Sequence, residues 1–262
     1  MIKMPIILME IKRSLTSFLI WVVAVGLMMV LVIVLYPMVK DMYAAIPPEF
    51  MEMMDAFGGI PDSIMEYFAT EGGMMMQICA AIYAVFLGFN AIGKEEREHS
   101  TDIIYSLPIS RRSFFLHKLL AVMIQVVAFS LLLYVINLGS LLIIEKVDIL
   151  LFTIFSLVFT LMMMVIAALG FILGATVKGS VKAMSSLLII FPMYIISIIS
   201  QLTQKEWLQN LKYLSVFTFA DPVKLLKTDQ DMEWISLLVF LGLAVFGLFY
   251  ALKQFEKREF LD

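Results

Sequence analysis

Residues 149–176 read ILLFTIFSLVFTLMMMVIAALGFILGAT, without a single Asp, Glu, Lys or Arg. At about 1.5 Å of rise per residue, such a run as a helix is long enough to cross roughly 30 Å of hydrocarbon. Five more apolar stretches meet the same condition, at about 18–39, 74–93, 114–143, 183–203 and 234–252. In hydrocarbon, backbone amides and carbonyls must be satisfied within a helix or around a closed barrel. The runs lack the polar/apolar alternation of barrel strands, so they read as helices. Composition agrees, with 62% of residues hydrophobic and 16% charged and a mean hydropathy of +0.97. A soluble globule has too little interior for that much apolar surface. The expected fold class is an all-α membrane protein, a single transmembrane domain over residues 1–262 with six transmembrane helices.

The first stretch follows Lys3, Lys12 and Arg13, as a secretory signal would, but it exceeds the roughly 7 to 15 apolar residues of a signal and no small-residue cleavage site follows. It reads as a retained span. Before it, residues 1–17 place Pro5 near a helix start and set Ile6, Ile7, Met9 and Ile11 among Glu10, Lys12 and Arg13. An N-terminal interfacial helix on the inner membrane surface is expected, the alternative being an extension of the first span. The third and fourth stretches are separated by Glu145-Lys146-Val147-Asp148, which predicts a tight helical hairpin.

Positive charge sets the orientation, because cytoplasmic segments retain Lys and Arg. With the N-terminus inside, Lys40, Lys146, Lys205, Lys212, Lys224 and Lys227 fall outside, and the remainder of the 19 basic residues fall inside. A multi-pass protein of the cell membrane with cytoplasmic N- and C-termini is expected. The outer loop 40–73 is acidic, with Asp41, Glu49, Glu52, Asp55, Asp62, Glu66 and Glu71 against Lys40. Its short amphipathic pieces either cap a pathway or rest on the bilayer. A second outer loop covers 204–233.

The loop 94–112, GKEEREHSTDIIYSLPISRR from Gly93 onward, is the least generic part of the chain. Its first half is charged; Ile103, Ile104 and Leu107 then recur at helical spacing and predict a short cytoplasmic helix between spans 2 and 3. Pro108 ends that helix and Ser110 is placed to cap the next. Two readings are open from the residues alone: a docking element for a cytosolic partner, or a solvated connection.

This stretch resembles the cytoplasmic coupling segment of type-2 ABC transporter permeases, Glu-x-Glu-x-Gly-Thr followed by Leu-x-Ser-Leu-Pro-(Val/Ile)-Ser-Arg. Matching positions are Glu96, Glu98, Thr101, Ser106, Leu107, Pro108, Ile109, Ser110 and Arg111, with Lys118 at a lysine that often follows; Ser100 stands where the family has glycine. Glu10-Ile11-Lys12-Arg13 leading to Trp21, Tyr36-Pro37, and Phe255-Glu256-Lys257-Arg258-Glu259-Phe260 extend the likeness loosely over the whole chain. The resemblance implies a dimer of permeases, with a second copy or a paralogue, bound to two cytosolic ABC ATPase subunits that hold ATP and Mg. It implies ATPase coupling through Glu95, Glu96, Glu98, Thr101, Ile103, Ile104, Leu107, Pro108 and Arg111. Short loops and the lack of a large extracellular domain further resemble bacterial, Gram-positive peptide exporters of the phenol-soluble modulin or bacteriocin type.

The chain has no phosphate-binding loop of its own. Gly174-Ala175-Thr176-Val177-Lys178-Gly179-Ser180 puts serine where the lysine belongs, so no cofactor is expected here and ATP must come from a partner. A single cysteine, Cys79, forms neither a disulfide within the chain nor a cysteine metal cluster. A net charge of -3 gives no reason to expect nucleic acid. The span interiors offer the amides Gln77, Asn90, Gln125 and Asn137, which either bond between helices or line a pathway. Lacking an intramembrane acid or base there, an ion- or proton-coupled carrier or a channel ranks second. An intramembrane protease ranks third, since Glu95-Glu96 is only superficially similar to the paired glutamates of prenyl-protein proteases and Ser100 replaces their arginine.

Ala80, Ala84 and Gly88 in the second span, and Gly170 with Gly174 in the fourth, are small residues at four-residue spacing that favour close helix packing. The 21 methionines, including Met74-Met75-Met76 and Met162-Met163-Met164, suit either core filling or varied apolar cargo. The function expected is that of a non-enzymatic permease subunit of an ABC exporter, moving amphipathic or hydrophobic cargo outward through the lipid bilayer, with peptides first.

Overall fold

The computed structural model describes residues 3–44, 61–97, 109–177, 181–203, 205–226 and 233–257. Six helices are long and apolar enough to cross a membrane. They are α1 (Lys3–Ala44), α2, α3 (Arg111–Ile144), α4 (Ile149–Thr176), α5 (Leu187–Leu202) and α6 (Trp234–Lys257). Helix α2 starts as Ile64–Tyr67, passes through a π-helical stretch, Phe68–Gly73, and continues as Met74–Arg97. A 3-10 turn, Ala183–Ser186, leads into α5. The helices alternate in direction, so Lys3 and Lys257 lie at one end of the bundle, the terminal end. The turn between α3 and α4 lies at the other, distal end.

Residues 3–17 do not form a separate interfacial helix. They are the first turns of α1, whose 42 residues span about 63 Å at 1.5 Å each. Continuity has a local cause: Pro5 sits in the first turn, where its missing N–H has no helical partner to lose. The Ser14 hydroxyl donates back to the Glu10 carbonyl at 2.8 Å, so it satisfies itself inside the helix rather than breaking it.

Helix α2 begins ten residues before the apolar run that announces it. The Ser63 hydroxyl accepts the Glu66 N–H at 3.2 Å and caps the start, while the Glu66 carboxylate accepts the Asp62 N–H at 3.1 Å. Phe68 and Ala69 are fully buried, and Phe68 packs edge-on against Phe152 and Phe155 of α4. A Cβ at Gly72 would strike the Met29 methyl of α1, and one at Gly73 would strike Pro222, so both glycines serve close approach.

Helices α2 and α4 form the densest pair, with backbone against backbone. A Cβ on Gly88 would overlap the Ala167 carbonyl, one on Gly170 the Val85 carbonyl, and one on Gly174 the Phe89 carbonyl. Ala80 and Ala84, on the same stripe of α2, are fully buried. Helix α1 packs against α3, and α6 closes the terminal end through Phe255 against Phe114 and Phe115. Four residues, Glu145 to Asp148, join α3 to α4, and the Asp148 carboxylate accepts the Leu151 N–H to cap α4. At the distal end, residues 205–226 turn back into the bundle, where Val216, Phe217, Phe219 and Ala220 are buried. The outward faces of α1 and α6 carry exposed Ile20, Leu27, Leu31, Leu238, Phe246 and Phe249, surfaces suited to hydrocarbon.

Candidate functional site

A cavity of about 420 Å³ lies between α1, α2 and α3 in the half of the bundle nearer the terminal end. Helix α1 supplies Glu10, Arg13, Ser14, Ser17 and Trp21. Helix α2 supplies Tyr83, Phe86, Leu87, Asn90 and Ala91, and α3 supplies Lys118, Ala121, Val122 and Gln125. Each set recurs at steps of three and four residues, which is what puts it on one helix face.

An ion pair holds the charged end together. Lys118 is fully buried and Glu10 is 8% exposed. The Lys118 ammonium donates to Glu10 Oε1 at 3.0 Å and to the Ala91 carbonyl, so one α3 side chain binds both α1 and α2. It also lies 5.0 Å from the centre of the Phe114 ring. Arg13 Nη1 approaches the same Glu10 oxygen at 4.0 Å. A buried charge is tolerable when paired and hydrogen-bonded, and Lys118 meets both conditions.

Further along, Gln125 Oε1 lies within hydrogen-bond reach of the Ser14 hydroxyl, an alternative acceptor to the Glu10 carbonyl for its one proton, while Gln125 Nε2 donates to the Ala121 carbonyl at 3.3 Å. Beyond that the wall becomes aromatic. Tyr83 stacks on Phe129 with centroids 4.4 Å apart and meets Trp21 at 6.1 Å. Its hydroxyl, on a residue only 2% exposed, has no hydrogen-bond partner among the described residues.

Of the four amides singled out in the sequence, Asn90 and Gln125 line this cavity. The other two lie elsewhere. Gln77 donates to the Ala220 carbonyl and lies 3.8 Å from Met162 sulfur. Asn137 donates to Met76 sulfur at 3.2 Å, and its Oδ1 has no partner among the described residues. Glu10, Arg13 and Lys118 were not among the candidates, and the view that the spans hold no acid or base fails at Lys118. Their signal was legible as a stripe: Glu10, Arg13, Ser14, Ser17 and Trp21 share one face of a continuous helix, and Lys118 interrupts an apolar run.

Most of the coupling candidates, Glu98, Thr101, Ile103, Ile104, Leu107 and Pro108, lie outside the described residues. Glu95 and Glu96 are in the last turn of α2. Arg111 opens α3 and donates to the Glu256 carbonyl of α6 at 3.2 Å. Ser110 caps α3 as its sequence position predicts, accepting the Ser113 N–H at 3.2 Å.

The family described as "Multidrug efflux system permease Rv1217c, C-terminal domain" matches residues 8–256, a stretch that takes in nearly all of the six helices. The chain belongs to this permease family. No curated protein matches it. In the permease, the cavity and the Glu10–Lys118 junction therefore sit within the matched region, at the end of the bundle where α2 hands over to α3.

Proposed function

We propose that this permease is the membrane subunit of a type-2 ABC exporter, acting as a dimer with separate cytosolic ATPase subunits. It moves an amphipathic or hydrophobic molecule out of the cytoplasm. The observation that carries this reading is the family match over residues 8–256. ATP and Mg belong to the partner, and nucleotide-driven closure acts on the loop between α2 and α3. What favours a mechanical link is the position of Lys118. A pull on that loop displaces the ends of α2 and α3 together, and the bonds from Lys118 to Ala91 and Glu10 pass the displacement to α1. The family's name, a multidrug efflux permease, favours drugs as the first cargo to assay, beside the peptides that the narrower resemblance suggests.

A secondary carrier keeps a structural footing, because Glu10 and Lys118 are ionisable groups buried beside a cavity. Co-expression with an ABC ATPase encoded nearby separates the two readings. The exporter reading expects co-purification and cargo-stimulated ATP hydrolysis that Glu96→Arg with Leu107→Asp abolishes while the permease still folds. Full stimulation in that variant overturns the coupling role, and transport that persists without the ATPase supports the carrier.

A further inference from the structure

Helices α5 and α6 meet the distal end of the bundle, and one short exposed stretch is bonded to both of them there. Glu206–Gln209 and Asn210–Leu214 form two helical turns that pack against α5. Gln209 Nε2 donates to the Thr203 carbonyl at 3.0 Å, one residue past the end of α5. Lys212 Nζ donates to Glu233 at 2.7 Å, one residue before α6 begins. The stretch is therefore held at the level where two spans stop. That level matches an edge of the hydrocarbon. Along α6 the exposed side chains are apolar or aromatic from Trp234 to Tyr250, and exposed polar ones begin at Lys253 and Gln254. At 1.5 Å per residue, Trp234 to Lys253 is about 29 Å, against roughly 30 Å of hydrocarbon. Trp207 is 64% exposed, Leu214 59% and Tyr213 47%, and Trp234, next to Glu233, is 60% exposed. Lys205, Glu206, Gln209 and Asn210 are exposed among them. Water would strand the rings and hydrocarbon would strand the polar groups; the boundary between the two satisfies both.

We propose that residues 205–214 are an interfacial anchor, seated where the acyl chains of the distal leaflet meet the phospholipid head groups. Trp207, Tyr213 and Leu214 contact lipid, and their polar neighbours face head groups and water. Past the anchor the chain turns inward: Val216 and Phe217 are buried, and Gln77 of α2 donates to the Ala220 carbonyl. The anchor sets the depth at which that inward turn starts. It requires neither an ATPase nor a particular side of the membrane for the chain termini.

The test uses the full chain in phosphatidylcholine nanodiscs, with Trp21→Phe and Trp234→Phe leaving Trp207 as the sole tryptophan. The probes are phosphatidylcholines brominated either near the head-group end or near the methyl end of their acyl chains, and aqueous iodide. Shallow bromine should quench Trp207 at least about twofold more than deep bromine, as a ring about 5–10 Å into the boundary implies. Iodide should quench it at least about twofold less than a free tryptophan amide, by the same shielding. Phe246→Trp, with the three native tryptophans replaced by Phe, is the deep control: it faces outward about 18 Å along α6 from Trp234 and should show the opposite order of bromines. Full quenching of Trp207 by iodide with none by either lipid puts the stretch in water and overturns the proposal. Stronger quenching by deep than by shallow bromine puts it in the acyl core and also overturns it. If the chain lacking Trp21 does not fold, the difference in quenching between the wild type and Trp207→Phe gives the same reading. No ATPase is present, so the exporter reading stands or falls separately.

Discussion

Lys118 and Glu10, 108 positions apart in the chain, meet at 3.0 Å with the lysine fully buried. Two residues of opposite charge thus fasten α3 to α1, and the same ammonium fastens α2 through the Ala91 carbonyl. In a bundle held mainly by apolar packing, this junction fixes which faces of the three helices meet around the cavity.

Removing one partner should therefore cost more than removing both. Lys118→Met leaves the buried Glu10 carboxylate with only Arg13 Nη1, 4.0 Å away, so the loss should approach but not exceed the roughly 3–5 kcal/mol of a broken buried pair. Combining it with Glu10→Gln removes the stranded charge and should restore much of the loss. The double-mutant cycle is read from thermal unfolding of the detergent-purified permease. Additive losses would mean that the two side chains do not stabilise each other.

The contact between α2 and α4 predicts a sharp contrast between glycines. Gly88→Ala drives a methyl group into the Ala167 carbonyl, where no flexible side chain can yield, whereas Gly139 of α3 has nothing within 4 Å of an added Cβ. Gly88→Ala should lower the unfolding midpoint strongly or prevent assembly. Gly139→Ala should leave the midpoint unchanged or raise it, since alanine is the better helix former by about 1 kcal/mol.

The six spans and the α3–α4 hairpin are legible in the sequence because each depends on local composition: long uncharged runs, then a four-residue polar break at Glu145 to Asp148. The early start of α2 is not, because Glu66, Glu71 and Gly72-Gly73 look like loop chemistry. Their helical use depends on Met29 and Pro222 arriving from other parts of the chain. The cavity was half legible. Asn90 and Gln125 stand out as polar residues in apolar runs. Glu10 and Arg13 share a helix face with Ser14, Ser17 and Trp21, but that stripe shows its burial only once α3 packs over it. Periodicity tells which residues share a face, but not which two faces meet.

At the distal end, Glu233 accepts from Lys212 at 2.7 Å and from Lys224 at 3.3 Å, just before α6 begins. Burial pushes its carboxyl up, but the hydrogen bond from Lys212 and the charges of both lysines outweigh this, and the net pKa lies below the ordinary 4.5. A depressed acid stabilises the fold above its unfolded value and loses that contribution as pH falls through the lower folded value. Thermal stability of the wild type should therefore decline below about pH 4.5, the ordinary carboxyl value. Glu233→Gln should start lower at neutral pH and converge with the wild type in acid. A constant gap between the two proteins at all pH values would exclude this linkage.

The orientation can be tested at two positions on opposite ends of the bundle. Asp62 precedes α2 at the distal end, and Ser100 falls in the sequence between α2 and α3, whose adjoining ends lie on the side of the chain termini. In a Cys79→Ser background, which removes the single native thiol, each position is replaced by cysteine in turn and intact cells are treated with a membrane-impermeant maleimide. If the excess of Lys and Arg at the terminal end marks the cytoplasm, Asp62→Cys labels in intact cells and Ser100→Cys labels only after permeabilisation. The reverse pattern would put the α2–α3 loop outside, away from ATP. The orientation and the proposed ATPase contact would then fall together, while the helix packing and the Glu10–Lys118 junction would stand, because neither depends on which side of the membrane the termini occupy.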